Sequence, residues 1–239
     1  MTFARATIAN QTYELKYLTG EKILEIAKLP KKYHEAMLTQ GLECIVGANF
    51  NPSFMTIQER YAIYLKYLLA VQDHNISHEI DIQSFLSEDL QTVHKERIEE
   101  NGVSARCLTG IEAEALETGC ENTVDWILGA MCLQVGCEKL NLPPLDIAVN
   151  DLRFIQNTIK SRMAIILSLE QPTLNSLCSQ FFELDSRLNT LVKITYDNGI
   201  VLNKVGGTED APRRFRINAA ITGISKQLFS IITRENAAI

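Results

Sequence analysis

The chain has 239 residues, 46% of them hydrophobic and 22% charged, with a formal net charge of −6. That length allows one large domain or two small ones, and the composition is that of a globular chain, not a disordered one. The acidic balance argues against a general nucleic-acid coat, which needs a basic surface to meet phosphates.

No apolar run approaches the ~20 residues a bilayer-spanning helix needs. Residues 1–17 lack the apolar core of a secretion signal, so a cytosolic protein with no membrane partner is expected. Cys44, Cys107, Cys120, Cys132, Cys137 and Cys178 are scattered through apolar stretches, the pattern of reduced, buried thiols.

In chain order, residues 3–8 and 13–18 alternate as strands around a turn at 9–12. Thr19 can cap a following helix, with Glu21 and Glu25 near its positive end. Pro30 interrupts, and 31–46 continue as a second helix. Thr56-Ile57-Gln58-Glu59 has the form of a capping box, in which the Thr hydroxyl and Glu carboxylate satisfy each other's backbone amides. It opens a helix carrying Ile57, Tyr61, Tyr64, Leu65 and Leu68 on one face. The stripe reads first as core packing and second as a docking face.

Residues 73–87 read as a linker, and 88–100 as a short acidic helix ending at the hairpin-type turn Asn101-Gly102. Helical text follows from 112 to 135 with a break near Gly119, and Pro143-Pro144 ends that unit. Helices are then expected over 146–168 and, after a turn at Pro172-Thr173, to about 192. Their short connection predicts an antiparallel helical hairpin, whose stripe could also serve as an intersubunit seam. Residues 191–196 and 200–205 flank Asp197-Asn198-Gly199 as a second strong hairpin. Residues 213–217 alternate as a third strand, and 221–232 close the chain as a helix.

The fold class expected is α+β, predominantly helical. Its parts are a possible duplicated β-hairpin-plus-helices unit, an antiparallel helical hairpin and a small C-terminal β-hairpin. Domain boundaries fall at 1–78, 79–170 and 171–239. The duplication rests on Leu18-Thr19-Gly20 and Leu108-Thr109-Gly110. Each Gly has a base four residues before it (Lys16, Arg106) and an Ile twelve before it (Ile8, Ile98). Each is followed by a Val-Gly pair, Val46-Gly47 or Val135-Gly136, at nearly constant spacing.

Chemistry is harder to find. His74 and His78 lie four apart beside acids, but the His-Glu-x-x-His form is absent, and Cys120, Cys132 and Cys137 lack zinc-ribbon spacing. No G-x-S-x-G elbow frames a nucleophile, and Gly206-Gly207 lacks the Lys-Ser/Thr of a phosphate loop. No catalytic residue, metal or cofactor is assigned, and the chain is read as a non-enzyme.

Charge is uneven: residues 79–121 carry eleven acids against Lys95, Arg97 and Arg106, while 204–234 carry six bases against Glu209 and Asp210. Partner contact is assigned by residue type to Tyr61, Tyr64 and Tyr67, to Arg213, Arg214 and Arg216, and to Phe229 and Ile232.

The strand pair followed by Lys16-Tyr17-Leu18-Thr19-Gly20-Glu21, together with Gln58-Glu59-Arg60-Tyr61-Ala62-Ile63-Tyr64-Leu65-Lys66, resembles the T-even-type baseplate hub and tail-assembly proteins of tailed bacteriophages over residues 7–70. That resemblance implies a non-enzymatic subunit or assembly factor of a phage tail baseplate. It would bind other protein subunits or further copies of itself, in the host cytoplasm during assembly and in the virion. The alternative is a cytosolic regulatory or nucleic-acid-associated module using the basic C-terminal segment.

Overall fold

The computed structural model describes residues 2–30, 32–71, 80–91, 94–145, 149–205, 213–215 and 217. It is an α+β fold in which small antiparallel sheets punctuate a helical core.

Strands β1 (Thr2–Ile8) and β2 (Gln11–Lys16) form the first hairpin. Its loop is the two residues Ala9 and Asn10, both at positive φ (50° and 64°), tighter than the expected four-residue turn. This is the left-handed turn geometry whose twist matches paired strands. Thr19 then caps α1 (Gly20–Ala27), accepting the Lys22 amide at 3.4 Å. Helix α2 (His34–Val46) follows, and α3 (Ile57–Val71) runs through the interior.

The capping box at the start of α3 forms as its sequence predicts. The Glu59 amide donates to Thr56 Oγ1 at 3.2 Å, and the Thr56 amide donates to Glu59 Oε2 at 2.9 Å. The helix is covered on more than one side, since Ala62 and Ile63 are as buried as Tyr61, Tyr64 and Leu65. A helix apolar around most of its circumference belongs in a core.

Residues 97–100 are not the end of an acidic helix but strand β3 (Arg97–Glu100), paired with β4 (Val103–Arg106) through Asn101 and Gly102. The Asn-Gly turn, at φ 53° and 75°, fixes the hairpin register and outweighs any helical preference of the acids. Helix α4 (Gly110–Gly119) and α5 (Thr123–Gln134) come next, and β5 (Val135–Cys137) adds to β4. The order hairpin, helix, helix therefore recurs, over Thr2–Val46 and Arg97–Gln134.

Helix α6 (Leu152–Leu167), capped by Asp151, is shorter than the expected 146–168, while α7 (Gln171–Leu188) takes the expected turn at Pro172-Thr173 into its first turn and ends before 192. Their packing also differs from a self-contained helical hairpin. Helix α6 lies against α4 and α5, whereas α7 lies against β3 and β4. The last hairpin, β6 (Lys193–Tyr196) with β7 (Ile200–Asn203), turns at 197–199 as expected. From the expected third strand, Arg213 forms a single antiparallel bridge to Leu202. The expected helix at 221–232 lies outside the described residues.

Buried side chains from all three expected segments join one core, from Ile8 and Leu15 through Phe85 and Trp126 to Phe181 and Leu202. Among the described residues no helix is long and apolar enough to cross a membrane.

Candidate functional site

Long-range polar contacts hold the elements together and define two places where chemistry could occur. At the first, the N-termini of α3 and α4 meet head to head. Thr56 and Thr109 form an isolated β-bridge, in which the Ile57 amide donates to the Leu108 carbonyl at 2.9 Å and the Gly110 amide to the Met55 carbonyl at 3.0 Å. Glu112 accepts from both the amide and the hydroxyl of Thr109 and pairs with the Arg106 guanidinium.

Beside this junction lies a cavity of about 690 Å³, walled by Phe54, Val135, Leu145, Cys107, Arg106 and Arg162 among others. Arg162 is buried and donates to the carbonyls of Cys132, Val135 and Pro143. It thereby satisfies the carbonyl end of α5, where positive charge is favoured by the helix dipole.

Cys107 lines this cavity, and its Sγ lies 3.4 Å from His94 Nε2. His94 Nδ1 is 2.7 Å from Thr190 Oγ1. A thiol, an imidazole and an orienting hydroxyl are the components of nucleophilic catalysis. Their environment opposes it. Burial pushes the Cys107 thiol up to about 12, with Asp185 adding to the rise. Burial also lowers His94 below its ordinary value against the pull of Glu96. Both groups are therefore neutral near pH 7, and thiolate, the reactive form, is scarce. Nearby, Gln134 donates to Asp185 at 2.9 Å and accepts from Tyr196 at 3.1 Å. Burial raises Asp185 to about 6.

The second place is a carboxyl pair. Helix α2 has no side-chain cap of its own, since Tyr33 at its N-cap makes no capping hydrogen bond. Glu117, projecting from α4, takes that role. The Glu35 amide donates to both its carboxyl oxygens at 3.0 Å, and the His34 and Ala36 amides also point at it. The Glu35 carboxyl is buried beneath, accepting from Tyr61 Oη at 2.6 Å and facing Arg60 at 3.4 Å. Arg60 is thus committed to Glu35, while Glu117 is held by the α2 amides. Burial, reinforced by Glu35, raises Glu117 to about 8, and burial raises Glu35 as well despite Arg60 and Tyr61. Such an arrangement retains a proton near neutrality.

The residues assigned to partner contact fare unevenly. Tyr61, Tyr64 and Tyr67 are 1%, 1% and 6% exposed, so they are core residues and present no docking face. Tyr61 is committed to Glu35, and Tyr67 packs edge-on against Phe3 with ring centres 6.0 Å apart. Helical spacing identified the stripe correctly as core-compatible, but it could not show that the opposite face is covered too. Arg213 is exposed, with its backbone bridged to Leu202, while Arg214 pairs with Asp197 at 3.3 Å. Arg216, Phe229 and Ile232 lie outside the described residues, as do His74 and His78.

The pairs that sequence reasoning missed, Cys107 with His94 and Glu35 with Glu117, are joined only by the tertiary fold. The nearest sequence signal was the capping-box form Thr109-x-x-Glu112, which locates the junction but not the residues around it. Comparison with family models, curated proteins and solved structures finds no match to this chain.

Proposed function

We propose that the protein is a non-enzymatic structural or assembly subunit that works by docking onto other proteins, as a component or assembly factor of a phage tail baseplate. The observation that carries the docking role is the outer surface of α6 and α7, where Phe154, Leu167 and Phe182 are 44%, 52% and 50% exposed. Large apolar side chains in water are favourable to cover, at roughly 25 cal/mol per Å² of apolar area removed. The neutral Cys107–His94 pair supports the same reading, because its environment stabilises the unreactive thiol. The baseplate assignment is supported by the resemblance across residues 7–70.

Native mass measurement of the full-length chain isolated from its source, with identification of what accompanies it, tests the proposal. A defined complex is expected, and Phe154→Ser/Leu167→Ser/Phe182→Ser should release the partner while leaving the fold unchanged. A lone monomer at physiological concentration overturns the docking role. A complex containing no tail component overturns the baseplate assignment alone.

A further inference from the structure

The groove above Glu117 combines features that the docking role does not use. It is a cavity of about 350 Å³, lined by Lys32, His34, Glu35, Glu117, Gly199 and Arg214 among others. A second hollow of similar size, reaching Tyr33 and Trp126, shares Lys32, Glu117 and Asn198 with it, so the two form one continuous groove. The walls come from the connection before α2, the α2 N-terminus, α4 with its end, Trp126 of α5, the β6–β7 turn and Arg214.

The charges are unequally committed. Glu35 is matched by Arg60 and Tyr61 beneath the floor. Among the described residues the acid paired with Arg214 is the largely exposed Asp197, a pairing that water weakens. Lys32 is solvent-exposed, with Nζ 4.8 Å from the centre of the Tyr33 ring. Lys32 and Arg214 thus line a groove floored by Glu117, while the buried Arg60 is committed to Glu35.

We infer that this groove binds a small oxyanion, the carboxylate or sulfate-like group of a soluble ligand, held by Lys32 and Arg214 over the Glu117 carboxyl. Glu117 is suited to the role because a protonated carboxyl has two faces. Its carbonyl oxygen can go on accepting from the α2 amides while its hydroxyl donates outward to the ligand. Ionised, it would repel the same ligand, so binding couples to one proton.

The groups facing Glu117 set the pH window. From α2 these are His34 and Glu35, with Lys32 and Tyr33 just before it. From α3 they are Arg60 and Tyr61, acting through Glu35. Asp197 and Arg214 lie at the β6–β7 side, while Glu114, Cys120 and Glu121 belong to α4 and its end. On the far side of α4, α6 directs Gln156 to Thr118 and Arg162 to the α5 carbonyls, adding no charge here. Between pH 7 and 9 Glu117 is the group expected to change charge, since its carboxyl lies at about 8 while burial pushes Cys120 up to about 12 and Tyr61 well above 10.

The test is calorimetric titration of the full-length chain with sulfate and, separately, acetate, whose own charges are constant from pH 7 to 9. One saturable site is expected at pH 7, at least tenfold weaker at pH 9. Glu117→Gln should hold the pH 7 affinity at pH 9. Lys32→Ala, a surface change, and Arg214→Ala, at a half-buried side chain, should each weaken binding several-fold with unaltered thermal unfolding. Binding of sulfate without acetate would assign the site to tetrahedral anions, and the reverse to carboxylates. No saturable binding at pH 7, equal binding by Lys32→Ala and Arg214→Ala, or an unchanged pH profile in Glu117→Gln overturns the inference. The docking role above stands or falls separately.

Discussion

The two hairpin-plus-helices regions share an order of elements and a Leu-Thr-Gly entry to the first helix, yet they use that entry differently. At Gly20 the surroundings are open, with nothing within 4 Å of where a Cβ would be. Thr19 makes one long cap hydrogen bond there. At Gly110 the same turn is pressed against the start of α3, and a Cβ would lie 1.7 Å from Arg60 Nη1 and 2.4 Å from the Pro52 carbonyl. The tripeptide is a helix-entry signal in both places, but only the second copy has become a tertiary joint. Local sequence sets the turn, and what packs against it sets its importance.

The largest effect should come from that joint. Gly110→Ala forces Arg60 from its site between Pro52 and Glu35, and a buried charge separated from its partners costs about 3–5 kcal/mol. Gly20→Ala meets no obstacle and replaces a poor helix former, so a change of less than about 1 kcal/mol, toward stability, is expected. Urea unfolding of the two variants measures the contrast, and equal effects would show that the two copies are structurally equivalent after all.

Removing the acid at the third helical position sharpens the same point. Glu112→Ala leaves Arg106 largely buried without its carboxylate and strips the Thr109 cap, a loss again expected at about 3 kcal/mol or more. In the first copy that position is Lys22, bound to the exposed Glu25. The corresponding disruption there, Thr19→Ala, should cost about 1 kcal/mol.

How much of this was legible in the sequence follows the range of each interaction. The hairpin turns at 101–102 and 197–199 and the Thr56–Glu59 box are decided within four residues, and each formed as expected. The stripe with Tyr61 and Tyr64 read first as core packing, as it is, but the enclosure of the rest of the helix, Tyr67 included, was not legible, because that cover comes from other segments of the chain. The carboxyl pair was illegible for the same reason. Glu117 caps a helix beginning 83 residues earlier, and nothing near Tyr33 or Glu117 signals the match. Helix ends that lack a local cap are the places where a distant polar residue should be sought.

That distant cap gives the third prediction. Helix α5 carries its own cap, Asn122, which accepts the Asp125 amide at 3.1 Å, whereas α2 borrows Glu117 from the second unit. The Glu117 carboxyl moves from its ordinary value near 4.5 to about 8 on folding. The folded state therefore binds the extra proton across that interval. Its favourable contribution is complete below pH 4.5 and is lost as pH rises through 8. Glu117→Gln keeps an acceptor for the α2 amides but cannot ionise. Its stability should match the parent near pH 5 and exceed it by about 1–2 kcal/mol at pH 9, within the limit set by linkage. A constant difference at all pH values would mean that Glu117 is not the titrating group.

The smallest effect separates the two hairpin turns. Both loops hold two residues at positive φ, but one is Ala9-Asn10 and the other Asn101-Gly102. An alanine in the left-handed region carries a steric penalty of roughly 1–2 kcal/mol that glycine escapes. Ala9 offsets part of this by packing its methyl against the core, and its amide donates to the Leu90 carbonyl at 2.8 Å, a bond that glycine would keep. Ala9→Gly should therefore change stability by less than about 1 kcal/mol, because relief of strain is countered by lost packing and a looser unfolded chain. Gly102→Ala imposes the strain without the packing, since the nearest neighbour to its Cβ is a Glu138 carboxyl oxygen at 3.5 Å, and should cost about 1–2 kcal/mol. Thermal unfolding of the two single variants reads the difference directly. If both changes were equally costly, the Leu90 contact would have to demand more of the first turn than its hydrogen bond, and the first hairpin would be a tertiary joint in its own right.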